Sequence, residues 1–131
     1  MDASPVVDFS PALRLGLLAL LLALLPLSWV WLRRPGADTR SRLAALTALT
    51  MFLTFDLIVF GAFTRLSDSG LGCPDWPGCY GAASPLGAHA EILSAQTTMP
   101  SGPVTFSKAW IETIHRYLAM TVGVLILVIA A

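Results

Sequence analysis

Apolar residues run on in this chain for longer than a strand or a one-sided surface helix requires. Residues 15–32 are 18 consecutive positions without a charge, and residues 43–63 are 21 positions interrupted only by Asp56. Each run is about one bilayer thickness when wound as a helix, which predicts spanning helices at 13–32 and 43–64. A third run opens after Arg116 and is still apolar at Ala131. Counted from Arg116 it falls short of the roughly 20 residues a span needs, so its helix must begin near Ser107, giving a third span over 108–131. No basic stop follows VGVLILVIAA, and we expect the molecule to continue past this point.

Composition agrees with that pattern. Of 131 residues 56% are hydrophobic and 12% charged, against roughly 25% charged in an average soluble domain, so the fold class is an all-α integral membrane protein, a transmembrane helical bundle. Acidic and basic residues cancel, which gives no ground for a nucleic-acid partner. The information lies in their placement. The linker 33–42 holds Arg33, Arg34, Arg40 and Arg42, whereas no basic residue precedes Arg14. The positive-inside rule puts that linker in the cytoplasm and the N-terminus and the loop 65–107 outside, on the periplasmic side if the membrane is a bacterial inner membrane. Asp2 and Asp8, with no lysine or arginine beside them, argue for a retained helix over a cleaved signal peptide. Ala44 and Ala48 offer a small-residue face for close helix packing, and Trp76 and Trp110 read as aromatic-belt residues.

The loop 65–107 is long for a connection and rich in glycine and proline, and its polar part, 91–103, is expected to be mobile. It carries both cysteines, Cys73 and Cys79, in GLGCPDWPGCYG. On the oxidising side of a membrane a disulfide is the natural reading, with two unpaired thiols as the alternative. Zinc would need further ligands, and only His89 is near. The spacing is not that of a C-x-x-C redox pair.

Glu112 and His115 are three residues apart in KAWIETIHRYLAM and share one face of the third span. From a helix start near Ser107, His115 lies roughly 12 Å along the axis, inside the apolar region. A neutral imidazole held there is a candidate axial ligand for haem iron; the bland alternative is an interfacial histidine with Glu112 and Arg116 snorkelling outward. Asp56 sits roughly 13.5 Å below Arg65 by helical rise, a depth similar to that of His115. It reads either as a partner that hydrogen-bonds to the iron ligand or relays protons, or as a protonated acid bonded between helices. Arg65 and Arg116 at the helix ends either snorkel or grip haem propionates.

GAFTRLSDSGLGCPDWPGCYG closing one helix, followed about 30 residues later by WIETIHRYLA opening the next, resembles the haem A synthase family over roughly residues 43–131. The first helix resembles nothing diagnostic. The resemblance implies eight core helices in two four-helix halves, each with a haem site of paired histidines, and oxidation of a methyl group of haem O to the formyl group of haem A for terminal oxidases. Carried over by position, His115 is an axial iron ligand, Glu112 the catalytic acid, and Cys73 and Cys79 the loop pair that can form a disulfide. Haem b is the implied cofactor and haem O the substrate; haem O synthase and oxidase assembly factors are implied partners, and the oligomeric state stays open. The second histidine of the half-site would come from a helix beyond Ala131, so residues 1–131 alone are expected to be inactive. Two other readings remain, a non-catalytic haem b membrane cytochrome and a periplasm-facing thiol redox or assembly protein.

Overall fold

The computed structural model describes residues 10–131, and of Pro11 only the backbone. The acidic tail with Asp2 and Asp8 lies outside the described residues. Four helices follow in order: α1 (Ser10–Arg33), α2 (Thr39–Leu66), α3 (His89–Thr98) and α4 (Phe106–Ala130). Three of them, α1, α2 and α4, are long and apolar enough to cross a membrane. Among the described residues there is no strand, only a single bridge between Cys79 and Ala82, so the protein is an all-α membrane bundle.

Both later spans begin earlier than the apolar pattern predicts, because polar residues cap them. The Asp38 side chain accepts the Ser41 N–H at 3.3 Å, so α2 starts at Thr39 and takes Arg40 and Arg42 into its first turns. The Thr105 hydroxyl accepts the Lys108 N–H at 3.4 Å and starts α4. Inside α2 the hydroxyls of Thr47, Thr50, Thr54 and Thr64 each donate to the carbonyl four residues back, which satisfies them in an apolar medium.

The centre of the bundle is α4, which packs most extensively on α2, then on α1. In the membrane part Ala23, Val30, Leu46 and Leu125 form one buried cluster. Small residues allow this approach, but they are not those expected: Ala44 and Ala48 are exposed, and Ala19 and Ala23 of α1 are the buried ones. The helix turns the 44/48 face away from its neighbours and puts Ala45 and Leu46 inward.

The stretch expected to be mobile is corrected by α3. Ile92 is fully buried against Cys73, Cys79, Ala88 and Ala109, and a buried isoleucine is worth about 1.5–3 kcal/mol. Gln96 adds a tie by accepting the Phe106 N–H at 2.9 Å. The helix is thus held by the loop beneath it, not by amphipathicity of its own.

Candidate functional site

The site is built where the chain leaves α2 and meets the first turns of α4. After Leu66 the backbone reverses through Asp68, whose φ of 52° is left-handed, and Gly72 then crosses α4. A Cβ at Gly72 would lie 2.4 Å from the Lys108 carbonyl carbon, so only glycine allows this contact. The crossing delivers Cys73 to α4. Cys73 and Cys79 form a disulfide with Cα atoms 4.9 Å apart. The Asp75 carboxylate accepts the N–H groups of Tyr80 at 2.5 Å and Gly81 at 2.7 Å, which ties off the turn that follows. At 4% and 1% exposure the two sulfur residues offer little access to an exchanging thiol.

Two side chains of α4 hold this loop. Glu112, only 7% exposed, accepts the Cys73 N–H at 2.7 Å and pairs through its other oxygen with Arg116. Arg116 also donates to the carbonyls of Asp75 at 2.9 Å and Gly78 at 2.6 Å, both within the disulfide ring. The i, i+4 spacing of Glu112 and Arg116 makes the pair possible, and partial burial strengthens it. Tyr117 reinforces the docking by donating to the Ala83 carbonyl.

His115 faces α2. Its ring stacks on Phe60 at 6.1 Å between centroids, and its Nε2 lies 2.9 Å from where a Cβ on Gly61 would be. Neither ring nitrogen bonds to another described residue. Beside it opens a cleft of about 430 Å³, lined by Gly61, Thr64 and Arg65 from α2 and by Glu112, His115 and Arg116 from α4. Arg65 is exposed, and its guanidinium has no hydrogen-bond or ion-pair partner among the described residues.

Four of the residues singled out from sequence therefore meet in one cleft, and the two cysteines adjoin it through Glu112 and Arg116. Asp56 does not line it. His115 is level with Phe60 and Gly61, so Asp56 lies four to five residues deeper, about 6–7.5 Å by helical rise, with no hydrogen-bond partner among the described residues. His89 packs edge-on against Phe106, away from the cleft. Sequence reasoning missed Gly61, Gly72 and Asp75. An isolated glycine inside a helical pattern was the available signal for Gly61, since it marks close approach.

Comparison with known proteins matches residues 44–131 to the COX15-CtaA family model, described as cytochrome oxidase assembly protein. The chain is 47% identical over 88 residues to a protein named heme A synthase from Shewanella oneidensis, covering 67% of this chain and 27% of that protein. A heme A synthase from Sinorhizobium fredii is 28% identical over 100 residues, covering 66% and 26%, and one from Allorhizobium ampelinum 29% over 108 residues, covering 69% and 29%. The chain thus spans little more than a quarter of the length of these relatives. No solved structure matches it. With α2, the disulfide loop and α4 all inside the matched residues, the chain belongs to the COX15-CtaA family of cytochrome oxidase assembly proteins, the family of the haem A synthases.

Proposed function

We propose that this chain supplies a haem site of a haem A synthase, a membrane oxidoreductase that converts a methyl group of haem O to the formyl group of haem A. The observation that carries this reading is the unengaged imidazole of His115, one helical turn from the buried carboxylate of Glu112 and opening on the same cleft.

The residues present fit the cofactor. Among the described residues no three histidine, cysteine or acidic side chains gather as a bare ion would require, and a single imidazole suits an iron whose other bonds come from a macrocycle. A polar ring without a partner at membrane depth is costly, and a metal bond removes that cost. In this reading His115 holds haem b or haem O, and Arg65 meets a carboxylate at the cofactor's edge. Bound haem iron supplies the oxidising chemistry, and the protein supplies placement. Glu112 accepts hydrogen bonds at both oxygens, one from the Cys73 N–H and one from Arg116. Arg116 and the Cys73 N–H fix where that carboxylate points. By the arginine bias of the 33–42 turn, the loop end of the bundle faces the periplasm.

Extracted-haem chromatography of membranes from cells that express the gene and are supplied with haem O tests the reading. Haem A is expected from the full genomic reading frame, but not from residues 1–131 alone, and is expected to disappear from the former with Glu112→Ala or His115→Ala. Haem b alone, despite a haem O supply, would replace this reading with that of a membrane cytochrome.

A further inference from the structure

We propose that the α1–α2 turn binds an anionic phospholipid, its phosphate held by Arg34 and Arg42 and an acyl chain lying along the α1 groove of Leu24, Leu27 and Trp31. Residues 10–43 lie outside the stretch that the family model matches, so this site does not depend on the haem reading.

Arg33, Arg34, Arg40 and Arg42 fall within ten residues of chain, and the one carboxylate among them, Asp38, is engaged in capping α2. None of the four arginines has an ion pair among the described residues; both ion pairs present lie at the opposite end, at Lys108–Asp68 and Arg116–Glu112. Arg34 and Arg42 are nonetheless brought together. Arg42 Nη2 reaches the Arg34 carbonyl at 3.5 Å, and Arg34 Nη1 donates to the Ser41 hydroxyl at 3.1 Å. The Nε–H of Arg42 is shut away from solvent with no acceptor. Two like charges held on one turn, with no acid paired to either, call for an anion with several acceptor oxygens, as a phosphate has.

What lies next to them selects a lipid. The Arg42 guanidinium stands 5.5 Å from the ring centre of Trp31. Trp31 ends a groove of about 500 Å³ that runs along α1 past Ser28, Leu27 and Leu24, about 10 Å by helical rise. Ser28 turns its hydroxyl back onto the carbonyls of Leu24 at 2.6 Å and Leu25 at 3.0 Å, which keeps the groove apolar. A free anion would leave this groove empty, and a zwitterionic lipid would bring a cation of its own beside the guanidinium groups. An anionic headgroup on an acyl chain matches both, in the place where a bilayer presents them.

The test offers the purified, delipidated protein an equal mixture of phosphatidylglycerol and phosphatidylcholine and measures bound lipid by native mass spectrometry. Preferential retention of phosphatidylglycerol is expected, falling about fivefold for each guanidinium removed in Arg34→Gln and Arg42→Gln. Arg14→Gln, at the far end of α1, should retain the preference. Circular dichroism of each variant checks that the helices persist, and Arg34→Gln carries the test by itself should Arg42→Gln lose helicity. Equal retention of the two lipids, displacement of the lipid by excess inorganic phosphate, or undiminished preference in folded Arg34→Gln or Arg42→Gln would each overturn the proposal.

Discussion

The two ends of the helix bundle are held by different kinds of contact. At the loop end the bonds are long-range: Glu112 to Cys73, Arg116 to Asp75 and Gly78, and Tyr117 to Ala83 all join residues 34 to 41 positions apart. At the α1–α2 turn the side-chain bonds are local, Asp38 to Ser41 and Arg34 to Ser41 and Arg42, three to eight positions apart. Charge follows the same division. The loop end pairs its buried acid with a base, whereas the turn gathers four bases without a paired acid among the described residues. A charge paired inside the chain positions other parts of the chain, and a charge left unpaired at a membrane surface is available to something else. The first arrangement lies in the family-matched residues and the second outside them.

Truncating the loop-end clamp should have the largest effect. Arg116→Ala leaves Glu112 buried without its base and two ring carbonyls without their donor, an expected loss of about 3–5 kcal/mol, read as a lowered midpoint of thermal unfolding in detergent. Arg116→Lys should recover only part, because a lysine cannot reach three acceptors with a planar fork. Gly72→Ala should come next at about 3 kcal/mol, since the added carbon meets α4 backbone that cannot swing aside. Replacing both cysteines by serine should cost about 2 kcal/mol for so short a ring, with Glu112 and Arg116 still holding the loop. At the opposite end Arg33→Gln should change unfolding by less than about 0.5 kcal/mol, as expected for an exposed side chain that lies over the Trp29 ring. A loss at Arg33 as large as that at Arg116 would erase the contrast between the two ends.

The three spans were legible in the sequence because a membrane helix must be apolar for most of its length, whatever its neighbours. Glu112 and His115 were legible as a pair because helical spacing alone puts them on one side of α4. What they face was not. The partner of Glu112 is a backbone N–H 39 positions away, and nothing at Cys73 announces it. Arg116 was open between snorkelling and a cofactor carboxylate, and the structure gives its terminal nitrogens to Glu112 and the loop carbonyls. The α3 helix was missed for a similar reason, since a ten-residue segment with one fully buried residue, Ile92, becomes a helix only on the surface that the disulfide loop provides. Local pattern reports what a segment does alone, and these features depend on distant chain.

The most direct test of the central claim, that His115 in the Gly61 cleft is a haem ligand, is a haem titration of the purified protein followed by its Soret absorption. His115→Ala should abolish the ligand-type spectrum, while His89→Ala, on the exposed face of α3, should leave it unchanged. Equal spectra from the two variants, or loss in both, would contradict the assignment.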